Sequence, residues 1–276
     1  MPVNSPRSRD ASDGPGQAAS QFCPLRFALC ILTCLFLSYL AFPQESAPER
    51  IAAQDGRVSS AVVQLLAVGP AEKEQNRECS GTGFLIDEEG YLITNAHVVE
   101  NAKRCLERAP GAKILAKLTI SDMRTAPAVP CDVVALDEPN DLALLKAERP
   151  LVRTPGERPP YAPLDARAVA VGTAVGVTGY PAFSWQPVTQ AGHVTWSGRT
   201  RLEEIDNPLP NASDAVEIDV HLRPGNSGSP VYRTGGGVIA VIDKRDALQP
   251  DHSIAVAIHY AIELAERHKA PWHAPE

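Results

Sequence analysis

Nowhere in this 276-residue chain do five or six basic residues follow one another. With a formal charge of -7 and a sequence pI near 5.5, it offers no general surface for nucleic acid. No pair of its six cysteines has the C-x-x-C spacing of a zinc site or redox motif, and nothing else in the sequence calls for a metal or a cofactor. The apolar run from Phe27 to Phe42 has sixteen residues without a charge, short of the roughly 20 that a full membrane span needs. What remains, 44% hydrophobic and 21% charged, is ordinary for a globular protein large enough to bury a sizeable core as one large domain or two modest ones.

Residues 1–22 are polar, with Pro, Ser, Gly and Asp predominant, the composition of a disordered tail. The segment 23–42 that follows reads as membrane-targeting: Arg26 precedes the apolar run, Pro43 and Glu45 follow it, and no convincing small-x-small cleavage site is present. An uncleaved signal anchor is favoured slightly over a removed signal peptide. The charge asymmetry puts the tail in the cytoplasm and the body in an extracytoplasmic space, periplasmic or secreted. Residues 43–56 then serve as a polar tether.

From Arg57 the pattern changes to short β-type runs: Val58–Val68, Thr82–Ile86, Tyr91–Thr94, Ile114–Ser121, Asp132–Leu136 and Leu142–Leu145. Six such strands suggest a small barrel, about 57–148. A proline-rich linker, 149–163, has no apolar periodicity. A second set, Ala168–Val177, Val188–Trp196, Ala215–Val220, Pro230–Tyr232, Val238–Ile242 and Ser253–Ile258, is followed by helical spacing at Ala261, Ile262, Leu264 and Ala265. The expected fold class is therefore all-β: two six-stranded antiparallel barrels and a C-terminal helix, within a domain over 57–268 and before a short tail, 269–276.

Of the three body cysteines, Cys79 and Cys105 bracket the His97 region and are the favoured disulfide, with Cys131 left over; three reduced buried thiols are the alternative.

Three residues carry candidate chemistry. Ser227 sits in Arg223-Pro-Gly-Asn-Ser-Gly-Ser-Pro230, where glycines and prolines on both sides favour a tight turn presenting a hydroxyl. His97 lies where a strand pattern gives way to a short helix, and Asp141 opens the strand Leu142–Leu145. Each alone has a bland reading: a half-buried histidine, a turn acid, a turn hydroxyl. Together, in the order His, Asp, Ser with the serine on the other barrel, they match what a cleft between barrels requires for nucleophilic catalysis.

The segments GTGFLIDEEGYLITNAHVV, DLALLK and RPGNSGSP resemble the signature segments of chymotrypsin-fold serine proteases, most closely of the HtrA/Deg group. The resemblance extends through GYPAFSWQPVTQAGHVTWSGR and SIAVAIHYAIELAER, over roughly 57–268. It implies Ser227 as nucleophile, His97 as general base and then acid, Asp141 as its orienting partner, and an oxyanion hole at Gly225, Asn226 and Ser227 built from the N–H groups of Gly225 and Ser227. It also implies a substrate strand added against Val238–Asp243, with His221, Val241, Ile242 and Asp243 lining the site. Partners would be protein or peptide substrates, further copies of the chain and, if the N-terminal run is uncleaved, the membrane through residues 27–42. The function implied is a serine endopeptidase acting on unfolded or exposed segments. The alternative is a polypeptide-binding chaperone or scaffold on the same fold, slow or latent as a protease.

The sequence departs from the family in three ways. It stops short of the C-terminal PDZ domain usual in HtrA proteins. Asn226 stands where zymogen-activated relatives have an Asp, so Arg50-Ile51 is not expected to be an activation site. His221, six residues before the serine, replaces both the small residue of HtrA proteins and the acid of trypsin, and Ile242 stands where glutamyl endopeptidases carry a pocket histidine. Cleavage after small or medium apolar residues is expected.

Overall fold

The computed structural model describes residues 56–68, 79–107, 113–118, 128–184, 186–199, 214–245 and 249–276. The expected tail, membrane-targeting segment and Arg50-Ile51 lie outside the described residues. Among those that are described, no helix is long and apolar enough to cross a membrane.

A short helix, α1 (Gly56–Ala61), opens the fold where a continuous strand was expected from Val58. The Ser60 hydroxyl donates to the Arg57 carbonyl at 2.6 Å, a local bond that competes with a strand ladder, while Val58 and Ala61 turn inward. Six strands follow: β1 (Val62–Val68), β2 (Ser80–Leu85), β3 (Tyr91–Thr94), β4 (Lys113–Leu118), β5 (Ala128–Asp137) and β6 (Leu142–Ala147). They pair antiparallel in the order β1-β2-β3-β6-β5-β4, and β4 returns to β1 to close a barrel. Closure leaves no open sheet edge. β1 is buried on both faces because one lines the barrel while α2 (Ala96–Leu106) and the second barrel approach the other, and its one polar side chain, Gln64, donates to Ser184 O at 3.3 Å.

The second barrel contains β7 (Ala174–Gly179), β8 (Val188–Arg199), β9 (Asp214–Ile218), β10 (Pro230–Arg233), β11 (Gly237–Arg245) and β12 (Ser253–Ala257). Their order is β10-β11-β12-β9-β8-β7, closed by β10 on β7. Its interior is a separate apolar cluster that includes Val177, Val194, Ile218, Val231 and Ile242. The two-barrel, all-β architecture agrees with the expectation from sequence.

Three devices join the barrels. A larger apolar cluster runs from the first barrel to Tyr180, Tyr232, Val241 and Val256 of the second. The helix α3 (Ile258–Arg267) buries Ile258, Ala261, Leu264 and Ala265 and packs on both β6 and β11. The proline-rich passage is a docked strap: Ala162 N–H donates to Leu85 O, and Val238 N–H to Pro163 O, both at 2.8 Å. Leu151 and Leu164 are buried beneath it. Such a strap needs no periodicity, because these bonds tie it to both barrels and its internal bonds are confined to the local turn at 153–157.

Cys79, just before β2, forms a disulfide with Cys105 near the end of α2, with Cα atoms 6.3 Å apart. Cys131 is free and buried, and burial pushes its thiol up to about 12, so it is inert at neutral pH. The crosslink closes a loop of 26 residues that contains His97. By loop entropy this is worth about 3.5 kcal/mol. Replacing Cys79 and Cys105 together by alanine is therefore expected to lower the stability measured by urea unfolding by about that amount, with the folded far-UV spectrum retained.

Candidate active site

Asp141 sits in the left-handed region, with φ 51°, at the end of a single 3-10 turn, Glu138–Asn140. Its N–H donates to Glu138 O at 3.1 Å, and its own carbonyl accepts from Ala96 N–H at 3.1 Å and Asn95 Nδ2 at 3.0 Å. These bonds hold a backbone conformation that a non-glycine residue seldom adopts. The carboxylate is thereby aimed at the first turn of α2. Oδ1 accepts from the His97 N–H at 2.8 Å, and Oδ2 lies 2.6 Å from His97 Nδ1. An ionised carboxylate can only accept, so Nδ1 carries the hydrogen and Nε2 is left as the basic nitrogen.

His97 is the second residue of α2, with its side chain 36% exposed. Burial acts to lower its pKa, but the hydrogen bond and charge of Asp141, with the charges of Asp243 and Glu100 behind them, outweigh burial. The net shift is upward.

The Ser227 turn comes from the second barrel. Asn226 N–H donates to Arg223 O at 3.1 Å across a turn whose third residue, Gly225, has φ 99°. That is a type II pattern, which calls for glycine at this place. A Cβ on Gly225 would also overlap the Tyr180 carbonyl oxygen. Among the described residues the N–H groups of Gly225 and Ser227 have no hydrogen-bond partner. Both are available as donors.

The first barrel clasps this turn through Thr82 of β2. Thr82 N–H donates to Ser227 O at 3.0 Å, and its hydroxyl donates to Gly225 O at 2.7 Å while accepting from Tyr180 N–H at 3.1 Å. Thr94 Oγ1 donates to Thr82 O at 2.7 Å. Thr82 falls inside the GTGFLID segment, but its role depends on contact across 143 residues of chain, which no local pattern carries.

At rest the Ser227 hydroxyl donates to Asp243 O at 3.3 Å. One expectation needs correction. Val241 and Ile242 offer no free edge to a substrate strand: Val241 pairs with Pro230 and with Val256, and Ile242 pairs with Ala255 while exchanging bonds with the serine turn. Among the described residues, Lys244 and Arg245 pair on one side only, with Ile254 and Ser253 of β12, and Asp243 has no ladder partner. A bulge lies there, between Ile242 and Lys244, and it makes Asp243 the extra residue of the strand. His221 is half exposed, and its Nδ1 lies 2.8 Å from Pro250 O.

Asp243, expected from sequence to line the substrate site, brings its side chain to the histidine–aspartate pair, a contact that the sequence did not indicate. It is only 7% exposed. One ligand-type atom each from His97, Asp141 and Asp243 lie within 4.8 Å of one another, the one such group among the described residues. Burial first, then the charge of Asp141, raises the Asp243 carboxyl to about 7.

Two closed six-stranded barrels, with a histidine–aspartate pair on one facing a glycine-bounded serine turn on the other, define the class of trypsin-like hydrolases. The chain belongs to the trypsin-like peptidase domain family, which it matches over residues 81–241. It is 30% identical over 203 residues to a probable periplasmic serine endoprotease, DegP-like, of Pseudomonas putida, covering 72% of this chain and 36% of that protein. Among solved structures it resembles Deg5, with 25% identity, TM-score 0.59, and coverage of 80% of this chain and 95% of that one. An HtrA-type protease with a tripeptide is similar in fold, with 21% identity, TM-score 0.59, and coverage of 80% and 63%. The chain spans between 24% and 37% of the length of the curated relatives it matches most strongly.

Thr82→Val removes the hydroxyl while keeping the shape, leaving a buried Tyr180 N–H and the Gly225 carbonyl unpaired. It is expected to cost about 1–3 kcal/mol in urea unfolding and to loosen the turn, seen as faster exchange of the hydrogen-bonded amides of Asn226 and Gly228.

Proposed function

We propose that this chain is a serine endopeptidase acting outside the cytoplasm on exposed or unfolded polypeptide segments. The observation that carries the reading is the Asp141–His97 pair at 2.6 Å beside a serine turn whose two N–H donors are free. In this reading the Ser227 hydroxyl rotates from Asp243 O towards His97 Nε2, gives up its proton there and attacks the substrate carbonyl. The N–H groups of Gly225 and Ser227 receive the oxyanion. Removing one such donor typically costs on the order of a hundredfold in rate. His97 then returns the proton to the leaving amine, and water repeats the sequence on the acyl-enzyme. Asp141 holds the ring in the required tautomer and stabilises the imidazolium.

Substrate adds as a strand along 243–245, where β11 has an open side, so recognition is through main-chain bonds and is tolerant of sequence. Such tolerance suits unfolded segments. The extracytoplasmic setting is supported by the disulfide, which persists in oxidising compartments, and by the periplasmic description of the Pseudomonas relative. Tethering through residues 27–42 is part of the same proposal.

Ser227→Ala is expected to abolish both peptide hydrolysis and labelling by a fluorophosphonate probe while unfolding at the wild-type urea concentration; hydrolysis that survives the change would sink the assignment. Profiling with a peptide library should show preference for small or medium apolar residues before the cut, and a dominant Glu or Arg preference would refute that expectation. Intact mass of the protein purified from membranes should include residues 27–42 if the tether is retained.

A further inference from the structure

The β11 bulge turns Asp243 inward behind the catalytic pair, and its surroundings cannot satisfy it as an anion. Its Oδ2 receives no hydrogen bond. The group facing it is the Asp141 carboxyl, which already accepts the His97 N–H and the Nδ1 hydrogen and has no donor to give. Two carboxylates cannot bond to each other; one carboxyl and one carboxylate can, through a shared proton. Lys244 of the same strand has Nζ 3.7 Å from Oδ2, too far for a hydrogen bond. From α2 the charge of Glu100 also acts on His97. Across the ladder, β12 opposes the bulge with Ala255 and Ile254, and β10 pairs with β11 through Pro230 and Val231, none of them titratable.

Resting on the protease reading above, we infer that Asp243 is a positioning residue that stores a proton for the pair: neutral, it donates to Asp141 and keeps that carboxylate aimed at His97; ionised, it sets a second negative charge behind the ring. The pH at which His97 becomes a free base is then set by Asp243. The proton balance is closed, since the proton leaving Asp243 goes either to His97 Nε2 or to water, and no other reactant is needed. With the second charge present the imidazolium is favoured, so the acid limb of activity lies higher than one carboxylate alone would put it. The same main-chain carbonyl that receives the resting Ser227 hydroxyl belongs to this residue, which couples the nucleophile's rest position to the bulge.

The sign for stability follows from the upward shift. The folded protein keeps the Asp243 proton to about 7, whereas the unfolded chain releases it in the ordinary carboxylate range. The folded state therefore binds more protons over that interval. Stability from this group is full at acid pH, falls as pH rises towards the folded value, and is level above it.

The test uses the full chain, wild type, Asp243→Asn and Asp243→Ser. Fluorophosphonate labelling rates between about pH 5 and 9 are expected to show the acid limb of both variants moved down by about one pH unit, each measured against its own plateau. An unmoved midpoint would overturn the inference. In urea unfolding over the same range, the wild type should lose up to about tenfold in folding constant per pH unit relative to the Asn variant as pH approaches 7, and parallel profiles would overturn it as well. Absence of labelling in the wild type at every pH would count against the protease reading instead, and the unfolding profiles would still decide the role of Asp243. Should the Asn variant not fold, the smaller and equally neutral Ser variant carries the same expectations.

Discussion

The structure turns on one side chain that is not charged and does no chemistry. Thr82, on the first barrel, spends its N–H on Ser227 O and its hydroxyl on Gly225 O and Tyr180 N–H. Histidine and aspartate belong to one barrel and the serine turn to the other, so their alignment depends on how the barrels meet. Apolar contact between barrels is strong but non-directional. The threonine bonds are directional, and they fix the turn in the register that leaves two N–H groups open. Everything electrostatic in the site presupposes that register.

Within it, the charges are arranged by backbone irregularities. Asp141 reaches His97 because a 3-10 turn ends in a left-handed residue. Gly225 opens the serine turn because only glycine fits both its φ and the nearby Tyr180 carbonyl. Asp243 faces inward because the ladder of β11 is interrupted by a bulge. Regular strands supply the rigid frame, and three departures from regularity aim the groups that matter.

Much of this was legible in the sequence, for physical reasons that can be stated. Turn residues between short apolar runs marked twelve strands, and the serine turn announced itself through its glycines and prolines. The expected strand from Val58 failed because Ser60 closes a local turn that no hydrophobicity pattern records. Val241 and Ile242 were assigned to substrate because pattern alone does not tell which strand edges are already paired. Asp243 was read as lining the substrate site; the bulge that buries its carboxyl beside His97 and Asp141 is a tertiary matter. Cys79 and Cys105 were paired on proximity to His97, and the helix between them brings their Cα atoms to 6.3 Å.

The crossing strap bears on the order in which the molecule is made. Leu164 N–H is capped by the carbonyl of His273, whose ring stacks on Tyr161 at 4.0 Å and lies 2.6 Å from Glu88 of the first barrel. Residues close to the C-terminus thus lock a segment that precedes the whole second barrel. On the ribosome the first barrel can gather its strands early, but its alignment with the second is completed only after His273 has emerged, so a nascent chain holds His97, Asp141 and Ser227 for some time without holding them together.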